Sequence, residues 1–456
     1  MAVLGLATGA GHCASFGTSV RVLCQMYRTG NLTKMLSNVL IARRNLHNTQ
    51  QNPLFGDSVN VLGQTYQTDD WTNISPKVLA KVGQNLHNTP CNPLNLIRKR
   101  IQNFFYNNFI KGGRPLFSVY DKISPVVTKE QNFDNLLVPK SHVSRLPGES
   151  YYLNSTYMLR AHTSAHQLDL IRTGLNSFLV MGDVYRRDEI DRTHYPVFHQ
   201  IEGVRLFTSF ELFQDVRDST NLSLFEDGQR LPDRQECHTM DAVKLLEHQL
   251  KTTLYNLAHN LFGADAEIRW VDCYFPFTHP SWEMEVKFDG QWLEVLGCGI
   301  MEQQILHAGG AGEKVGWAFG LGLERLAMKL YNIPDIRLFS SKDSGFLSQF
   351  NVDNPDTPIT YKPISQYPQC INDISFWIPD DFSSNDFYDI ARNIGGDLIE
   401  QVTLVDTFFH PKTQRHSHCY RIVYRHLEKT LTQGEVNEIH KNIEDTAASR
   451  LGVEIR

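Results

Sequence analysis

The first 56 residues contain no aspartate or glutamate; the first acid is Asp57. The same stretch carries Arg21, Arg28, Lys34, Arg43 and Arg44 among many serines, threonines, leucines and alanines. An acid-free, Arg- and Ser-rich start is the composition of a mitochondrial transit segment, placed at residues 1–47 and set aside from fold reasoning. The expected location is therefore the mitochondrial matrix. No run of eighteen apolar residues occurs, which leaves no place for a spanning helix. The 8 cysteines are scattered and none stands in Cys-x-x-Cys spacing, which argues against a disulfide framework or a cysteine-rich zinc site. Without the five basic residues of the leader, the net charge moves from −6 to −11. An acidic body offers no global attraction for nucleic acid, so any RNA contact must rest on local basic patches.

What remains has the composition of an ordinary globular protein, with 41% apolar and 21% charged residues in 456. That length allows two or three domains. Asn92-Pro93 opens a helix with Ile97, Ile101, Phe104, Phe105 and Phe109 on one face. A second helix is expected over Thr239–Phe262, where Val243, Leu246, Leu250, Leu254, Leu257 and Leu261 recur at three- and four-residue steps and Gly263 supplies the stop. Met284, Val286 and Phe288 alternate with charged residues, and Asp289-Gly290 then offers a two-residue hairpin turn into Trp292–Leu296. Hairpins mixed with helices, without regular βα alternation, predict an α+β fold with an antiparallel sheet flanked by helices.

A polar stretch over residues 341–363 reads as a linker. Beyond it, residues 364–456 read as a β-α-β-β-α-β unit, a ferredoxin-like domain. Its strands are expected at Ile371–Ile378, Leu398–Phe408, Ser417–His426 and near Val453. Its first helix covers Asp386–Ile394, and its second begins at Thr432 with Glu435 in capping-box spacing. The partition is then an N-terminal extension at 48–90, a chemistry-bearing domain at 91–340, the linker and the tail.

Three clusters carry the chemistry. Gly182-Asp183-Val184-Tyr185-Arg186-Arg187-Asp188 is followed by His194-Tyr195-Pro196-Val197-Phe198-His199-Gln200-Ile201-Glu202-Gly203. Tyr274-Phe275-Pro276-Phe277-Thr278-His279-Pro280-Ser281 comes next, and Gly316-Trp317-Ala318-Phe319-Gly320-Leu321-Gly322-Leu323-Glu324-Arg325 last. The last cluster reads as a strand, a glycine-eased turn and a helix bearing an arginine near its start. A guanidinium placed there opposes the macrodipole preference and invites a bound anion. Alone, that pattern reads as strand–helix packing with a surface arginine. Two arginine-bearing motifs in one chain, in this order, reverse the reading.

YRRD with its downstream HYPVFHQIEG resembles motif 2 of the class II aminoacyl-tRNA synthetases, and GLGLERLAM resembles their motif 3. Pro125, in Lys122-Ile-Ser-Pro-Val-Val127, stands where motif 1 would lie. The set AHTSAHQ (161–167), FHQIEG and YFPFTHPS is more specific and resembles the phenylalanyl-tRNA synthetases. A single chain with a transit-like start and a ferredoxin-like tail is similar to their monomeric mitochondrial members. The resemblance runs from about residue 60 to the end.

The resemblance implies phenylalanine, ATP and a mitochondrial tRNA(Phe) as partners, Mg²⁺ as cofactor, and no membrane. It makes Arg186 and Arg325 the catalytic pair. Arg186 would hold the ATP α-phosphate and the substrate carboxylate, and Arg325 would stack on adenine opposite Phe198. Asp188, one carbon shorter than the usual glutamate, would take the adenine-side role, and His194 would lie near the ATP phosphates. Glu294 is the candidate for Mg²⁺–ATP, with a polar residue on a strand's solvent face as the equal alternative. His162, Ser164, Gln200 and Glu202 would fix the ammonium and carboxylate of the amino acid. Phe275 and Phe277 would meet its ring, and Ala318 and Phe319 would form floor and wall. Ala165, His166, Gln167, Thr193, Tyr195 and Ile201 complete the expected lining, with His166, His199 and His279 open to reading as structural histidines. In the tail, which resembles an anticodon-stem-binding domain, Lys412, Arg415, Arg421 and Arg425 would face tRNA phosphates, with a solvated face as the alternative.

Overall fold

The computed structural model describes residues 56–456 apart from 218, 364–366 and 427; the expected transit segment at 1–47 lies outside the described residues. The extension begins with a hairpin of β1 (Ser58–Val61) and β2 (Gln64–Gln67). Helix α1 (Pro93–Asn108) starts as expected: the Asn92 side chain accepts from the Leu94 N–H, and Pro93 fills a position that has no helical N–H to satisfy. Leu94, Ile97, Ile101 and Phe105 are fully buried along it.

Strands β3 (Ser118–Tyr120), β4 (Ser177–Tyr185) and β5 (Val197–Phe207) lead to α2 (Met240–Phe262). Thr239 caps α2 through the Ala242 N–H, and Gly263, at φ +95°, ends it. Strands β6 (Ile268–Phe275), β7 (Thr278–Phe288), β8 (Gln291–Met301) and β9 (Val315–Gly322) follow, then α3 (Leu323–Leu330). Asp289 and Gly290 turn β7 into β8 with both φ values positive, the geometry a two-residue hairpin requires.

These strands form one seven-stranded sheet in the order β6-β7-β8-β9-β5-β4-β3. Every pairing is antiparallel except β3 with β4 at one edge. Alternation along β9 divides its two faces. Trp317, Phe319 and Leu321 enter the core shared with α1 and α2. Ala318, Gly320 and Gly322 point the other way, with Gly297, Gly299, Gln200 and Glu202 beside them across the ladder.

The expected linker is packed rather than loose. Residues Ser344–Ser348 make a short helix, and Phe346, Phe350 and Tyr361 are buried in the same core as α1 and α2. The tail then builds β10 (Cys370–Ile378), α4 (Ser384–Gly395), β11 (Ile399–His410), β12 (Arg415–Tyr424), α5 (Gln433–Leu451) and β13 (Glu454–Ile455). Its sheet runs β11-β12-β10-β13, the expected β-α-β-β-α-β arrangement. Thr432 and Glu435 close both halves of the capping box on α5. Tyr420, Ile422 and Tyr424 are buried on one face of β12, facing the helices.

Candidate active site

Glu202 lies at the bottom of the sheet's glycine-lined face and is almost wholly buried. The Ser164 hydroxyl and the Gln167 amide both donate to its carboxylate in short contacts, and Thr163 Oγ1 donates at 3.3 Å. Burial pushes its pKa up to about 7 in spite of these donors. Such a carboxylate is poised for a cation that brings its own charge, such as a primary ammonium. Gln200 holds the Thr163 N–H through its side-chain oxygen at 3.3 Å. His162 lies beside this cluster, and burial with Arg186 nearby lowers its pKa to about 3, so it is neutral at physiological pH.

Above that end of the sheet stand Phe275 and Phe277, ring planes 10° apart and centroids at 5.7 Å. Gly297 makes room for them, since a Cβ there would meet Phe275 at 2.7 Å. Phe277 also packs against the cluster that contains Ala318 and lies 6.4 Å from the His162 ring. Next along β9, Gly320 has nothing within 4 Å of where a Cβ would stand, so the sheet floor is open there. An aromatic pair, a small floor and a buried carboxylate thus occupy one face.

The two arginines share the charge of Glu294. Arg186 is held by its Nε bond to the Ala161 carbonyl at 2.8 Å, and its guanidinium lies 5.3 Å over the Phe198 ring. After burial, the charges that act on it are Asp188, Glu294 and Arg325. Arg325 reaches the Glu294 carbonyl at 3.3 Å and its carboxylate at 3.9 Å. Glu294 owes its place to a bulge: Met284 pairs with Leu296, but Glu285 pairs with Glu294, so Val295 is the extra residue. Simple alternation from Gly297 would have put Glu294 on the core face, and the bulge returns it to the site face.

Residues 78–217 and 234–350 match the family of tRNA synthetases class II core domain (F), and residues 365–456 match the ferredoxin-fold anticodon binding domain. The chain is 59% identical to the mitochondrial phenylalanine–tRNA ligase of Mus musculus, over 85% of this chain and 86% of that one. The chain belongs to the mitochondrial phenylalanine–tRNA ligases. It is 54% identical to a probable mitochondrial member from Drosophila melanogaster, over 85% of this chain and 90% of that one. A chloroplastic/mitochondrial ligase of Arabidopsis thaliana shares 46% identity over 84% and 82%.

Within this phenylalanine–tRNA ligase, several expected lining residues face elsewhere. Phe319 is on the core face, stacked on Phe105 at 5.6 Å, and Ile201 is likewise core; alternation turns Ala318 of β9 and Gln200 and Glu202 of β5 to the site face and sends their neighbours Phe319 and Ile201 the other way. His166 accepts from Arg160 at 2.9 Å, inside a buried Arg160–Asp183–Tyr185 network, and so is structural. Ala165 is buried in the same apolar cluster as Ala318. Tyr195 donates to Asp397 of the tail at 2.5 Å, and Thr193 binds Asp191. His194 pairs with Asp191 at 2.8 Å, which raises its pKa.

The four tail cations divide. Arg421 forms two 2.8 Å bonds to Asp373, Arg415 pairs with Glu454 at 2.6 Å, and Arg425 pairs with Glu400 at 3.1 Å. Lys412 is exposed in the turn between β11 and β12, with no ion pair among the described residues. Sequence reasoning also missed Glu324, which binds His199 from motif 3. The Glu-Arg pair of that motif was the available signal.

Proposed function

We propose that this ligase activates phenylalanine in the mitochondrial matrix as a monomer and passes it to tRNA(Phe). The observation that carries the reading is the placement of the stacked Phe275–Phe277 pair and buried Glu202 on one face with Arg186. The phenylalanine ammonium pairs with Glu202 and its ring lies against Phe275 and Phe277, aromatic contacts worth roughly 0.5–1.5 kcal/mol per pair beyond burial. Its carboxylate is already an anion, so no general base is needed. A carboxylate oxygen bonds to the ATP α-phosphorus as the bond to the β-phosphate oxygen breaks, giving phenylalanyl-adenylate and pyrophosphate. Arg186 neutralises charge at the reacting phosphorus, and Arg325 with Phe198 holds the adenine. A ribose hydroxyl of the tRNA then attacks the adenylate carbonyl, losing its proton as AMP leaves.

Glu294 fits Mg²⁺ as an oxygen donor on the site face, its carboxylate 3.9 Å from Arg325. When bound with ATP, the ion supplies charge neutralisation of the phosphates.

Pyrophosphate exchange with each of the twenty amino acids tests the reading. Exchange should be driven by phenylalanine and lost in a folded Arg186→Ala protein. Normal exchange in that variant would remove the reading.

A further inference from the structure

The loop of motif 2 runs from Arg186 to Pro196, and its outer side is built into the ferredoxin-like domain. Arg187 turns away from Arg186 and is buried, with Asp386 at 2.9 Å and Asp389 at 3.1 Å, both on α4. Arg392, one turn along α4, donates to the carbonyls of Asp188 and Glu189, each at 3.0 Å. Ile190 is 6% exposed and belongs to the hydrophobic core of the tail, beside Ile374, Phe387 and Ile399. Its carbonyl accepts the Val402 N–H of β11 at 2.9 Å. Arg192 pairs with Glu400 of the same strand at 2.6 Å.

From this geometry we infer that the tail is a positioning element for ATP in the first reaction step, before any tRNA is involved, with Arg187, Ile190 and Arg392 as the positioning residues. The carbonyls of Asp188 and Glu189 are held by a guanidinium 204 and 203 residues later in the chain. Arg186 and Asp188 flank Arg187, so displacing Arg187 displaces both groups that the reaction uses. None of the three positioning residues touches substrate. The phenylalanine contacts are held separately, by Ser164, Gln167 and the β6–β7 corner, none of which touches the tail through these bonds. Loosening the loop therefore acts chiefly on ATP and leaves the ammonium and ring contacts of phenylalanine in place.

The inference rests on the proposed activity, and its test separates the two. The full-length protein with Asp386→Asn and Asp389→Asn keeps side-chain shape and removes both charges opposite Arg187. In tRNA-independent, phenylalanine-driven pyrophosphate exchange, its KM for ATP should rise roughly tenfold or more, the scale of a small misplacement near reacting groups. Its KM for phenylalanine should stay within about twofold. A merely structural role would move both constants, or the melting temperature alone. If the double variant does not fold, Arg392→Met, which removes only the two carbonyl contacts, is read by the same split. An ATP KM that is unchanged or lowered in a folded variant overturns the inference. Absence of exchange in the unaltered protein would instead overturn the activity itself.

Discussion

Glu324 binds His199 twice: one carboxylate oxygen accepts the backbone N–H at 2.8 Å and the other meets ring Nδ1 at 2.6 Å. Both residues are buried. Each is the chain neighbour of a residue proposed to hold ATP, Arg325 on one side and Phe198 on the other. The pair therefore sets the spacing of the two side chains between which the proposed mechanism places adenine.

Glu324→Ala should lower stability by about 1–3 kcal/mol, since a buried N–H and a ring nitrogen lose their partners. It should also raise the KM for ATP more than that for phenylalanine. Thermal melting and exchange kinetics check this; Glu324→Gln, which keeps one acceptor, should fall between.

Glu202 gives a pH signature. Its folded pKa of about 7 lies above the ordinary 4.5. Stability from this group is thus fully present below pH 4.5 and lost as pH rises to 7, on the order of 3 kcal/mol in all. Glu202→Gln should flatten that fall in the ligand-free protein, measured by denaturation across the window. Phenylalanine needs the ionised form, so kcat/KM for phenylalanine in exchange should climb through pH 7 and level above it.

Ala318→Gly should admit para-halogenated phenylalanines. Ala318 faces Gly299 across the ladder on the site face and packs in the cluster that Phe277 joins. One methyl in an apolar pocket is worth roughly 1–3 kcal/mol of discrimination. Unchanged preference for phenylalanine over the para-chloro analogue in exchange assays would place the floor elsewhere.

Lys412→Ala should lower the salt dependence of tRNA binding by about one phosphate contact. Arg421→Ala should leave the slope as it is, because Asp373 already neutralises that guanidinium. Binding titrations over a range of salt distinguish the two variants. A reduced slope for Arg421→Ala would mean that tRNA displaces Asp373.

Local signals reached far in this sequence. The Asn92-Pro93 start, the Gly263 stop, the Asp289-Gly290 turn and the Thr432/Glu435 box each act over a few residues, and each formed where expected. Ser164 and Glu202, named from separate motifs, are brought together by the fold, with the hydroxyl donating to the carboxylate. What failed was anything set by strand parity or by contacts between distant segments. Phe319 looked like a pocket wall because it adjoins Ala318, yet a period of two sends neighbours to opposite faces. Arg187, Tyr195 and Arg421 are spent on carboxylates 202, 202 and 48 positions away or thereabouts, partners that no window along the chain reveals. The 341–363 stretch looked polar enough to be a tether, although three aromatic residues within it anchor it to the core.

Val295 behaves like an inserted letter in a two-letter code. Every residue of β8 before it is read out of phase with every residue after it, so one strand supplies Gly297 and Glu294 to the same surface. Drawing Val295 into the regular ladder would impose one phase throughout. Glu294 would then face the helices and Leu293 the nucleotide, with neither side chain chemically altered. Register, at this point in the chain, is inherited information of the same rank as the identity of the acid itself.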